Sequence, residues 1–286
     1  MAQKMEQESV IQKLSIILKN IPADWLNLTT HRLDIYNESL AKTQFLSSFE
    51  ELIEKDNLQA SALNNLPTAF DYIRLGHPLS CILEWSIAGL NNLPAEHVIS
   101  FGSKMAPILA ILRKNMFEQK NTRILYKNSL PIFFNSEKLR KVYGYSFTLQ
   151  EIDETDAIND FEGSTVILSE QNKLSDFQAN SNIDFTINIL DELGSILIVN
   201  GKQNGHYISE IQHVRRRETI AMTPINALRG LQTITGGQLN QVDPTQKAKN
   251  KERVFASIRE FTDTRMNPAV ASSGLSIQYA ILMGLI

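Results

Sequence analysis

The stretch Ile183-Asp184-Phe185-Thr186-Ile187-Asn188-Ile189-Leu190-Asp191-Glu192-Leu193-Gly194-Ser195-Ile196-Leu197-Ile198-Val199-Asn200-Gly201-Lys202 decides the fold class. Residues 185–190 and 195–199 are short runs rich in β-branched side chains, the pattern of strands. Working outward, similar runs predict strands at 97–101, 123–126, 145–152 and 165–168. Helical spacing predicts helices at 83–90, 105–116, 136–142, 208–217 and 223–234, the last opening on Thr223-Pro224, a hydroxyl cap followed by proline at the first helical position. Strands alternating with helices imply βαβ units, so the expected class is α/β: a mostly parallel sheet flanked by helices.

Helices are also expected at both ends. Val10, Ile11, Leu14, Ile17 and Leu18 share one helical face, with Pro22 just beyond, and scattered apolar positions suggest two further short helices before residue 70. The Gly236-Gly237 and Asp243-Pro244 pairs make 235–246 the best linker. A helix over 251–261 then precedes an apolar stretch, 269–286, which Ser272, Ser273, Gly274, Ser276 and Gln278 interrupt and which reads as a buried terminal element.

Composition narrows the function. The 286 residues carry 28 Lys+Arg against 31 Asp+Glu, a formal charge of -3, which argues against nucleic acid as the main partner. An apolar fraction of 43% with 21% charged residues requires a folded core. The single cysteine, Cys81, forms no internal bridge and builds no cysteine zinc site, so a reducing cytoplasmic location is expected. The polar N-terminus has no signal-peptide run, and no stretch reaches the roughly 20 apolar residues of a membrane span.

GxGxxG, GxxxxGK[ST], HExxH and GxSxG are all absent, and His31, His77, His97, His206 and His213 show no metal-ligand spacing. What remains is a series of short segments in a fixed order. Tyr72-Ile73-Arg74-Leu75-Gly76-His77-Pro78, with Leu83-Glu84 and Ile87-Ala88 after it, resembles the YxRxxNPT…LE…iA segment of the pyridoxal-phosphate enzymes of cysteine and methionine metabolism. Ile99-Ser100-Phe101-Gly102-Ser103-Lys104-Met105-Ala106 is similar to their strand and SGMAAI turn, with Lys104 in place of a glycine. Ile183-Asp184-Phe185-Thr186 resembles vDNT, and residues 192–202 with Asn204-Gly205-His206 resemble ELGADIVVHSATK and NGH, two residues short before the lysine. Met222 to Ile234, through Arg229-Gly230-Leu231-Gln232-Thr233, is similar to sPfnAylllRGLkTL.

The resemblance, spanning residues 72–234, implies a fold type I enzyme in which Lys202 forms the internal aldimine with pyridoxal phosphate and Asp184 pairs with the pyridine nitrogen. It implies that Ser103 and the turn amides bind the phosphate, with Tyr72 and Arg74 reaching the phosphate of a neighbouring subunit, and hence a homo-oligomer acting on an amino acid as a lyase or transferase. Together with the helical patterns at both ends, it divides the chain into an N-terminal helical segment (1–70), an α/β cofactor-type domain (71–234) and a C-terminal helix with apolar tail (247–286). Complete members continue into a whole substrate-carboxylate domain; here about 50 residues follow Ile234, with only an echo of RlSvGlE, lacking its arginine, at 271–276. Two readings stay open at Lys202, because Gly201 to Gly205 is also a good hairpin turn in which a lysine is solvated. Arg215-Arg216-Arg217 reads either as a phosphate or carboxylate site or as a solvated helix face. At the level of function, an amino-acid enzyme competes with a catalytically inactive relative serving as a partner or regulatory subunit, and with an unrelated α/β enzyme.

Overall fold

The computed structural model describes residues 2–26, 38–67, 74–153, 157–171, 174, 181–237, 244–271 and 274–285. In chain order these form α1 (Ala2–Lys19), α2 (Glu38–Glu54), α3 (Ala60–Asn64), α4 (Pro78–Leu90), β1 (Val98–Phe101), α5 (Ala106–Phe117), β2 (Thr122–Tyr126), α6 (Ser136–Lys141), β3 (Thr148–Glu151), β4 (Ser164–Glu170), β5 (Phe185–Leu190), β6 (Gly194–Val199), α7 (His206–Glu218), α8 (Pro224–Ile234), α9 (Pro244–Thr262) and α10 (Gly274–Leu285). The strands make one sheet in the order β1-β6-β5-β4-β2-β3, with β2, β3, β4 and β5 parallel, and helices cover both faces, as an α/β class requires.

The exception to parallel pairing governs the site. β6 runs antiparallel to both β5 and β1 because the chain reverses within residues 191–193, where the Leu193 amide donates to the Leu190 carbonyl. Gly194 follows at φ +132, so close to β1 that a Cβ there would overlap the Phe101 carbonyl oxygen. That contact admits only glycine. The tight reversal therefore lies at 191–193, not at Gly201–Gly205, which forms a short 3-10 turn (Lys202–Asn204) leading from β6 into α7. Everything after β6 thus emerges at the end of the sheet where β5 begins.

Side chains alternate across the sheet as the strand period dictates. Ile196 and Ile198 point into a core built from α1, α2, α4 and α8, whereas Leu197 and Val199 point into one built from α5 and α7. The α4 helix is set by a capping box: the Ser80 amide donates to His77 Nδ1 (3.2 Å), and the His77 amide donates to Ser80 Oγ (2.9 Å), with Pro78 in the first turn. His77 Nε2 lies 2.6 Å from the Met222 carbonyl, so the ring is neutral, an acceptor at Nδ1 and a donor at Nε2. Burial pulls the His77 pKa down from 6.5 to about 4. The unfolded chain gains that proton near pH 6.5 and the folded chain only near 4, so stability falls as pH drops through this window, at up to about 1.4 kcal/mol per pH unit. Urea midpoints of His77→Asn should be flatter than wild type between those two values; parallel pH profiles would contradict the neutral ring.

β1 is an edge strand, and edge backbone groups invite unwanted pairing unless they are satisfied. Here three buried charges substitute for the missing strand. Lys42 Nζ donates to the Val98 carbonyl (3.1 Å), the Ser100 amide donates to Glu84 Oε1 (2.8 Å), and Arg215 Nη1 donates to the Ser100 carbonyl (3.2 Å). The three are joined through Glu84, whose oxygens accept from Lys42 (2.5 Å) and Arg215 (2.8 Å). Burial raises the Glu84 pKa, but Lys42 and Arg215 outweigh it and bring the carboxyl down to about 2.

The C-terminal stretch departs from expectation. It forms α10, which buries no residue fully and leaves Leu275, Ile281, Leu282 and Leu285 exposed. Its apolar side chains lie all round the helix rather than on one core-facing side, and its contacts include α7, Tyr143 and Arg113. Among the described residues no helix is long and apolar enough to cross a membrane.

Candidate functional site

The turn between β1 and α5 holds Ser103, and its geometry follows from the helix start it must close. The Ser103 hydroxyl accepts from the Met105 amide (3.3 Å) and the Ala106 amide (3.1 Å), capping α5, while the Ser103 carbonyl accepts from Ser195 Oγ (2.7 Å). The Gly102 amide donates to the Ile220 carbonyl (3.0 Å). Lys104 Nζ is 2.5 Å from Asp191 Oδ1, on the tight turn after β5. A cavity of about 320 Å³ lies beside this turn, bounded by Gly102, Ser103, Glu218, Tyr143 and Tyr279. Glu218 is paired with Arg113, and the Arg113 guanidinium lies 5.7 Å from the centre of the Tyr279 ring.

Asp184 and Lys202 lie at the opposite end of the strands. Asp184 Oδ2 accepts from the Thr165 amide (2.8 Å) and Oδ1 from Asn204 Nδ2 (2.8 Å), while its backbone bonds Thr165 and Asn200. The carboxylate is therefore a clasp joining β4 and β5 to the connection between β6 and α7. Lys202, two residues before Asn204, is exposed to solvent in the 3-10 turn. The six residues of β6 separate the Ser103 turn from Lys202, a span of roughly 20 Å at the usual rise per residue.

Arg74 occupies a third place, next to the β1 edge, where it lines a small cavity with Lys42, Leu75, Gln212 and Arg215. Desolvation and the charge of Arg216 lower its pKa. Tyr72 falls outside the described residues. The four described residues of the sequence reading are thus not gathered into one pocket: Asp184 and Lys202 share one end, Ser103 is at the other, and Arg74 is at the edge. The arginine run divides as well, because Arg215 is 3% exposed and part of the edge triad, whereas Arg217 faces solvent. Lys42 was missed, although a signal existed: it falls on the same helical stripe as Phe45, Phe49 and Ile53, where a lysine needs a buried partner.

No protein-family model matches the chain, and no curated protein matches it. Among solved structures, it is similar to MetB from Corynebacterium glutamicum at 16% identity and a TM-score of 0.38, over 72% of this chain and 62% of that one. It is similar to an O-acetylhomoserine (thiol)-lyase, MetY, of Campylobacter jejuni carrying a pyridoxyl-lysine phosphate residue, at 13% identity and a TM-score of 0.41, over 85% of this chain and 74% of that one. A third likeness is to an O-acetylhomoserine sulfhydrylase of the methionine biosynthetic pathway of Wolinella succinogenes, at 14% identity and a TM-score of 0.35, over 55% and 61%.

Tested against this geometry, the residues present do not fit a pyridoxal phosphate carried by Lys202. A phosphate needs amide donors aimed outward at a helix start. In this turn the Gly102, Met105 and Ala106 amides are engaged by Ile220 and Ser103, so the Ser103 and Lys104 amides are the donors it could offer, but the lysine meant to hold the ring is one strand length away.

Proposed function

We propose that the chain is a non-catalytic relative of the pyridoxal-phosphate enzymes of cysteine and methionine metabolism, serving as a partner subunit. Residues 71–234 form its α/β unit and the segments 1–70 and 247–286 its helical additions. The observation that carries this reading is the separation of Lys202 from the Ser103 turn by the whole of β6. The apolar side chains on α10 supply surface for association, with a second copy of the chain as the first candidate partner.

The competing reading, an amino-acid lyase or transferase with Lys202 as Schiff-base lysine, is favoured by the order of the five sequence segments. It requires Lys202 and Ser103 to meet. Incubation with pyridoxal phosphate, borohydride treatment and peptide mass spectrometry separate the two. The expected result is no saturable adduct at Lys202, together with a light-scattering mass above the 32.3 kDa of one chain. A stoichiometric pyridoxyl adduct that Lys202→Ala abolishes would establish the enzyme reading instead.

A further inference from the structure

The α9 helix stands apart from the body of the protein. Among the described residues no helix or strand packs along it, and Val254 and Phe261 are 49% and 92% exposed, with Phe255 and Ile258 half-buried. Its charge is also opposite to that of the whole. Lys247, Lys249, Lys251, Arg253 and Arg259 against Glu252 and Glu260 give it a formal charge of +3, on a chain whose total is -3.

At the usual α-helical turn, Phe261, Val254, Ile258 and Phe255 fall within one sector of about 120°. Lys251 falls in the same sector, one turn before Phe255, with Nζ 5.3 Å from the centre of that ring. Arg253 and Arg259 stand on its shoulders, Glu252 and Glu260 lie farther round, with Glu252 3.9 Å from Arg259, and Lys249 is opposite. An apolar sector bordered by cations, with the carboxylates behind, is the layout of a helix that lies in a lipid headgroup layer. The helix is no thicker than about one Debye length, so all of its net charge is felt at such a surface.

The size of the face selects the same partner. The 19 residues of α9 span about 28 Å, so a strip about 10 Å wide on each of two copies buries roughly 600 Å², half the roughly 1,200 Å² at which stable protein interfaces begin. A bilayer needs no matched surface, because each cation and each inserted side chain adds its own increment. We propose that α9 docks the protein on an anionic membrane surface, with Val254, Ile258 and Phe261 at the headgroup boundary and the cations drawn to the lipid phosphates. This goes beyond the partner-subunit reading and does not rest on it, since it uses neither Lys202 nor α10.

Flotation of the full chain with vesicles tests this. Wild type should float with phosphatidylcholine vesicles that contain about 30% phosphatidylserine, stay behind with phosphatidylcholine alone, and be released by about 0.5 M sodium chloride. Lys251→Gln with Arg253→Gln removes two cations and should weaken partitioning about 25-fold, at about fivefold for each. Phe261→Ser should weaken it about tenfold. All three positions are exposed, so both variants should keep the wild-type urea midpoint. Equal partitioning onto the two kinds of vesicle, or none onto either, overturns the proposal. So does binding to anionic vesicles that both variants retain in full, which would move the contact off α9. A dimer that Phe261→Ser splits without lipid present would make the stripe a protein interface and overturn it as well.

Discussion

Glu84→Ala should destabilise the protein by about 3–5 kcal/mol, because it removes one member of a buried ion cluster and leaves two cations without their shared carboxylate. The loss goes beyond charge. The Ser100 amide and hydroxyl both donate to Glu84 Oε1, so the edge of β1 loses its internal partner as well. Glu84→Gln keeps one acceptor oxygen and should lose less, although Lys42 and Arg215 then face a neutral group. Urea unfolding followed by circular dichroism reads both variants. A loss under about 1 kcal/mol for the alanine variant would show that water reaches the edge and that the triad is not the closure described. Because Glu84 titrates near 2 when folded and near 4.5 as an ordinary carboxyl, its contribution is complete above 4.5 and fades as pH falls toward 2.

Gly194→Ala should cost at least about 3 kcal/mol, since the new Cβ carries the strain of a positive φ and also overlaps the Phe101 carbonyl oxygen, a backbone atom that cannot swing aside. Gly144→Ala separates the two effects. It also has a positive φ, +71, but no atom within 4 Å of the added Cβ, so it should lose only the conformational part, about 1 kcal/mol. Similar losses for the two variants would mean that β1 and the start of β6 are further apart than described.

Much of the fold was legible because its strands are continuous β-branched runs and its helices carry their own caps, as at Thr223-Pro224, where Thr223 Oγ1 accepts from the Asn226 amide (3.4 Å). The direction of β6 was not legible. Asp191-Glu192-Leu193-Gly194 contains a glycine whose need for φ +132 depends on Phe101, more than ninety residues earlier, and local pattern carries no trace of such a contact. Gly201-Lys202-Gln203-Asn204-Gly205 has the residues of a hairpin turn, but the strand after it is a helix, so the same glycines serve a strand-to-helix connection. Once β6 is reversed, Lys202 moves to the end opposite Ser103. Asp184 was read as the partner of a pyridine nitrogen; in the structure its carboxylate accepts from Asn204 and from the Thr165 amide, partners that lie 20 and 19 residues away in sequence. The tail at 269–286 was read from its apolar content; that content is spread around α10 and stays at the surface.

The placement of Lys202 relative to the Ser103 turn is tested most directly by a distance between spin labels. Lys104→Cys and Lys202→Cys are labelled together in a Cys81→Ala background, and the separation is read by double electron–electron resonance. A distribution centred at roughly 20 Å or more is expected, the length of β6 plus the label arms. A population near 10 Å would put the two lysines in one pocket, restore the enzyme reading and contradict the antiparallel course of β6.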